Sequence, residues 1–105
     1  MEVLYMKTTF TARHFDSSTE LKNYSIESVQ KLEQFFDRIF TTDIILEPSS
    51  DDDQPCKAEL NVQVPKAVLN GSEYGETYDQ AINKVVNNLS RQLKKHKAKR
   101  LNQHS

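Results

Sequence analysis

The chain has 105 residues and a mass of 12.2 kDa, 36% hydrophobic and 28% charged, which suits one small soluble domain and leaves little room for a deep, water-excluding active site. A single cysteine, Cys56, excludes an internal disulfide and a multi-thiolate metal site, and makes a reducing, cytoplasmic setting the expectation. The formal charge of −1 conceals an asymmetry: residues 76–105 hold seven Lys/Arg against two acids, whereas the first 75 residues hold seven against thirteen. Such polarity is the usual footprint of a polyanion partner. The plainer alternative is a helix end whose cations complement its own carbonyl dipole.

Residues 1–5 precede a second methionine, Met6, and are read as an N-terminal extension; the domain is expected over residues 6–100, with residues 101–105 as a tail. No apolar run approaches the about 20 residues of a membrane span, so no membrane partner is expected. Residues 7–14 alternate, with Thr8, Phe10 and Ala12 on one side, and predict a half-buried strand. Ser17 and Glu20 have capping-box spacing and predict a helix start. Its apolar stripe is Leu21, Ser25, Ser28, Val29, Leu32, Phe35, Phe36 and Ile39, and its end is expected near Asp37 or Arg38.

Residues 41–47 form a β-branched run stopped by Pro48, and residues 49–55 an acidic loop. Ala58, Leu60, Val62 and Val64 then alternate with Lys57, Glu59, Asn61 and Gln63, the clearest strand pattern in the chain. Pro65 and Lys66 turn the chain into a fourth strand near residues 67–74, whose facing is blurred by Gly71 and Ser72. Thr77 with Gln80 predicts the cap of a last helix running to about residue 100, with Tyr78, Ala81, Ile82, Val85, Leu89, Leu93 and His96 on its core face. At about 100° per residue, Arg91 and Lys95 fall within about 20° of Lys84, while Leu89 and Leu93 lie on the far side.

The order β-α-β-β-β-α predicts an α+β fold, a four-stranded mixed sheet with both helices packed on one face and a polar face left to water. Catalytic constellations are lacking. His14, His96 and His104 do not converge in sequence, Asp51, Asp52 and Asp53 lack EF-hand spacing, two glycines cannot make a phosphate loop, and Cys56 has no nearby histidine. No enzyme activity, metal or cofactor is expected. The basic face is the informative feature: Lys84, Arg91 and Lys95 recur at steps of seven and four, Lys94 broadens the row at its edge, and Lys31 and Arg38 stand seven apart on a flank of the first helix. Spaced cations on a rigid helix suit successive backbone phosphates.

The segments KLEQFFDRI, residues 31–39, and AINKVVNNLSRQLKKHK, residues 81–97, resemble the two helical signatures of the ribosome hibernation promoting factor family, also labelled ribosome-associated inhibitor or sigma-54 modulation protein. The resemblance runs from Met6 to about Arg100. It implies a fold comparable to double-stranded RNA-binding domains and binding to the small ribosomal subunit, 30S or 70S, in the channel of mRNA and tRNA during stationary phase or stress. Occupancy there inhibits translation, and no bond is made or broken. The rRNA-binding residues it implies, with the basic rows, are Lys31, Arg38, Lys84, Arg91, Lys94, Lys95 and Lys97, contacting 16S rRNA. Lys31, Arg91 and Lys95 match positions typically basic in the family; Ser28 and Asn88 stand where relatives commonly carry Lys or Arg. The length resembles short members without a second, ribosome-joining domain, compatible with ribosome dimers formed with a separate modulation factor. The competing readings are a generic double-stranded RNA-binding module and a protein-binding regulatory domain.

Overall fold

Alternation and β-branching place four strands where the pattern predicts them. In a computed structural model that describes residues 7–35 and 38–102, with side chains through residue 99, β1 (Lys7–Ala12), α1 (Thr19–Gln30), a 3-10 turn (Lys31–Gln34), β2 (Thr41–Pro48), β3 (Cys56–Val64), β4 (Ala67–Gly75) and α2 (Tyr78–Asn102) follow in that order. Met1 to Met6, Phe36, Asp37, His104 and the rest of the tail beyond Asn102 lie outside the described residues.

The strands form one mixed sheet in the order β1-β2-β3-β4, with β1 parallel to β2 and the other pairs antiparallel. Pairing in register sets Phe10, Ile44, Leu60 and Gly71 in one row, and Thr8, Thr42, Val62 and Leu69 in the next. These rows face the helices, where Val29, Leu32, Leu60, Val62, Val85, Leu89 and Leu93 are fully buried. The opposite face carries Thr9, Asp43, Glu59, Asn61, Gln63 and Ser72, with the Thr9 hydroxyl donating to Asp43 at 2.6 Å. A four-stranded mixed sheet with both helices on one face is therefore the architecture, as predicted.

Register resolves the strand that the pattern left unassigned: Ala67, Leu69, Gly71, Glu73 and Gly75 face the helices. Its two glycines let α2 lie close. A Cβ on Gly71 would sit 3.0 Å from the Leu89 Cδ2, and one on Gly75 would meet the Ala81 amide nitrogen at 2.8 Å and the Thr77 carbonyl oxygen at 2.9 Å. The β3–β4 turn is Pro65-Lys66, with Lys66 in the left-handed region at φ 67°, the arrangement of a type II turn.

Two boundaries differ from expectation. The first helix is capped by Ser18, whose hydroxyl accepts from the Leu21 N–H at 3.0 Å, while Ser17 donates to the Ser18 carbonyl; the Ser17/Glu20 spacing is not used. The α-helix also ends at Gln30 rather than near Asp37 or Arg38. Ser25 and Ser28 are buried and donate to the Leu21 and Tyr24 carbonyls four residues back, competing with the helix ladder. The Lys31 N–H then turns to the Ser28 carbonyl and the chain tightens to 3-10. The second cap follows the sequence closely: the Gln80 N–H donates to the Thr77 hydroxyl at 3.2 Å, and the Gln80 side-chain oxygen accepts from the Glu76 N–H at 3.1 Å.

Candidate nucleic-acid interface

Topology decides how the charges are distributed. β1 and β4 are opposite edge strands, but they run in the same direction and finish at the same end of the sheet, so both helices start there and run back in parallel. Their side-chain contacts share one register: the Tyr24 hydroxyl donates to Asn83 at 2.7 Å, and the Lys94 Nζ lies 4.7 Å from the centre of the Phe35 ring, both pairs 59 residues apart. Parallel helices add their dipoles, with the positive ends at one pole of the molecule and the negative ends at the other.

The pole where the helices begin collects acids: Asp16, Glu20, Glu47, the Asp51, Asp52 and Asp53 loop, Glu76 and Asp79. The Asp51 carboxylate accepts from the Asp53 and Gln54 N–H groups, so the loop is a self-contained turn. Lys57 pairs with Glu47 at 3.4 Å, and Phe15 stacks on Tyr78 with ring centres 4.5 Å apart. Burial pushes the Cys56 thiol up, away from a reactive thiolate. Burial, then Cys56 and Glu47, also raise the Tyr78 phenol.

The opposite pole is basic. Arg91, Lys95, Lys97 and Lys99 are exposed, and no described carboxylate pairs with them. Leu93 is the last buried residue among the α2 side chains described, through Lys99, so the helix outruns the core there. Lys97 is therefore exposed although its direction on the helix lies towards the core side. Lys94 is exposed as well, with its ammonium over Phe35, a contact worth about 0.5–1 kcal/mol at an exposed site, so this cation also ties α2 to the 3-10 turn.

Three of the predicted residues are placed differently from the sequence picture. Lys31 and Arg38 were expected seven apart on one helix; Lys31 instead opens the 3-10 turn and Arg38 lies in the irregular segment before β2, both exposed, because the α-helix stops at Gln30. Lys84 sits about 10 Å up the helix from Arg91, and its Nζ donates to the Tyr74 carbonyl of β4 at 2.9 Å. It belongs to a ladder that holds α2 on the edge strand, with Asn88 donating to Glu73 at 2.8 Å and Gln92 donating to the Asn70 carbonyl at 2.8 Å. This also accounts for Ser28 and Asn88: one is buried in α1 and the other is engaged in the ladder. Two cations absent from the predicted set join the basic pole, Lys7 at the start of β1 and Lys66 in the β3–β4 turn. Only strand register brings them there.

The family described as Sigma 54 modulation protein / S30EA ribosomal protein matches residues 8–101. The chain belongs to this family. Among curated S30EA relatives, a ribosome hibernation promoting factor of Pseudomonas putida is 30% identical over 95 residues, covering 90% of this chain and 89% of the relative. One from Klebsiella oxytoca is 31% identical over 99 residues, 94% of this chain and 100% of the relative. The solved ribosomal subunit interface protein from Coxiella burnetii shares the fold with a TM-score of 0.79 at 20% identity, over 89% of this chain and 99% of that one. The S30EA family is one of non-enzymatic, ribosome-associated proteins, and no described helix of this member is long and apolar enough to cross a membrane.

Proposed function

We propose that this chain is a ribosome hibernation factor that binds the small ribosomal subunit, contacts 16S rRNA in the mRNA and tRNA channel, and inhibits translation under stationary phase or stress. The observation that carries the reading is the basic pole: exposed cations at the ends of two parallel helices, backed by the sheet, where Glu33 is the one described acid of the adjoining 3-10 turn, while Asp16, Glu20, Glu47, Asp51, Asp52, Asp53, Glu76 and Asp79 gather at the far end. Arg91, Lys95 and Lys97 supply phosphate contacts from α2, Lys31 and Arg38 from the adjoining turn, and Lys94 from the seam between them. Lys84 holds α2 on β4 and contributes to the field rather than to a contact. Residues 6–100 form the ribosome-binding unit, acting in the cytoplasm without a cofactor, and compatible with ribosome dimers that a separate modulation factor builds.

The test is co-sedimentation of wild type and Arg91→Glu/Lys95→Glu with purified ribosomes through sucrose gradients, with and without tRNA and mRNA. Wild type is expected to travel with 30S and 70S particles and to be displaced by either competitor, and the variant to stay at the top. Binding to free duplex RNA as tight as to ribosomes would favour a generic RNA module. Binding that ignores the charge reversal would favour a protein partner.

A further inference from the structure

The described phenylalanines do not behave alike. Phe10, Phe15 and Phe35 are half-buried against the core, whereas Phe40 is 52% exposed and stands apart from it. It is nevertheless firmly mounted: the Phe40 N–H donates to the Gln63 carbonyl at 2.8 Å, and the Phe40 carbonyl accepts from the Lys7 N–H at 3.1 Å, so β1 and β3 clamp its backbone from both sides. Arg38, Ile39 and Phe40 read exposed, buried, exposed, which sends Arg38 and Phe40 outward around a buried anchor.

The surroundings select the occupant. Phe40 lies at the basic pole, with exposed Arg38 two residues before it, exposed Lys7 hydrogen-bonded to it through the backbone, and Lys66 in the turn just past the β3 end. A protein partner or a second copy wants a contiguous apolar patch. Phe40, Val68 and Tyr74 are the exposed large apolar side chains among the described residues, and Phe40 has exposed Arg38, Lys7 and Lys66 as its sequence and register neighbours, a combination that matches a planar base with adjacent phosphates. Lys66 holds a left-handed conformation that glycine would adopt at less cost, and its exposed side chain puts a cation at this turn.

We propose that Phe40 is a stacking platform for one unpaired base of a single-stranded RNA segment, with Arg38, Lys7 and Lys66 holding the neighbouring phosphates. This rests on the ribosome-binding reading for its biological setting, but the site is testable without ribosomes. The chain contains no tryptophan, so Phe40→Trp places a single fluorophore at the site. Titration with a short oligoadenylate is expected to quench it, and inorganic polyphosphate of equal charge to leave it unchanged. Phe40→Leu keeps the apolar bulk and should weaken oligoadenylate binding about 5- to 150-fold, the factor that one stacked base carries, with an unchanged melting curve.

Equal quenching by polyphosphate, no quenching, or unaltered affinity of Phe40→Leu would overturn the proposal. So would a concentration-dependent dimer of wild type that Phe40→Leu abolishes, since the occupant would then be a second copy. If wild type fails to sediment with 30S particles while oligoadenylate still quenches Phe40→Trp, the hibernation reading falls and the stacking site stands. If sedimentation succeeds and quenching fails, the reverse holds.

Discussion

The two poles of this molecule are built from the same sheet and the same two helices, yet they do different work. At the acidic pole two of the charged side chains are tied into the fold: the Asp51 carboxylate closes its own loop and Glu47 pairs with Lys57. At the basic pole the cations Arg91, Lys95 and Lys97 project from a helix that has outrun its core and serve no internal contact. A charge that caps or pairs is explained by stability; a row of unpaired like charges on a rigid frame calls for an outside partner. Changes at the acidic pole should therefore act on stability, and changes at the basic pole on binding.

The largest effect should come from Arg91→Glu/Lys95→Glu, which we expect to weaken ribosome binding by at least 100-fold while leaving the urea midpoint within error. For wild type, about four to six phosphate contacts imply a loss on the order of 10² to 10³ in affinity between roughly 50 and 200 mM salt, measurable by filter binding. Gly75→Ala should do the opposite. Its Cβ would meet backbone atoms of α2's first turn, and a cost of about 1–3 kcal/mol is expected by urea unfolding, with binding intact once corrected for the folded fraction. Gly71→Ala, which meets the Leu89 and Asn88 side chains, should cost less.

Smaller changes sharpen the boundary between the poles. Lys95→Met should reduce the salt slope of binding by about one, whereas Lys84→Met should leave it nearly unchanged and loosen α2 from β4 instead. Replacing Asp51, Asp52 and Asp53 together with asparagine is expected to alter affinity by less than about threefold, given the Debye length of about 8 Å at physiological salt. A larger change would mean that the acidic loop orients the protein on rRNA. The mildest test is pH. Cys56 and Tyr78 both have raised folded-state pKa values, so the fold favours their neutral, protonated forms. The stabilisation is complete at neutral pH and fades as pH rises through the ordinary thiol and phenol ranges towards the raised values. Melting temperatures should fall in alkaline buffer, and Cys56→Ala/Tyr78→Phe should lose most of that slope.

Much of the fold was legible because its signals are local. The alternation of Ala58, Leu60, Val62 and Val64 is visible in any window of eight residues, and so are the Thr77/Gln80 cap and the spacing of Leu89 and Leu93. The first helix was misread at both ends for a physical reason. Ser17 and Ser18 are equivalent by residue type, and only backbone geometry selects Ser18. Two buried serines bend the ladder before Lys31, although their spacing alone extends the stripe to Ile39. The candidate site was legible along one helix and illegible between elements: Arg91, Lys95 and Lys97 followed from sequence, while Lys7, Lys66 and the exposed Phe40 did not.

By itself the sequence determined the element order, the mixed sheet, the inner faces of two strands and both helices, the polarity of the chain and the family to which it belongs, because each rests on periodicity or on residues close together along the chain. The tertiary structure alone decided that the two helices run parallel with their basic ends together, that Lys84 and Asn88 serve β4, that β4's glycines admit α2, and that Phe40 stands clamped and exposed among cations. Those outcomes depend on strand register and on which end of the sheet each helix starts from, and contacts between residues up to 63 apart leave no periodic trace in the sequence.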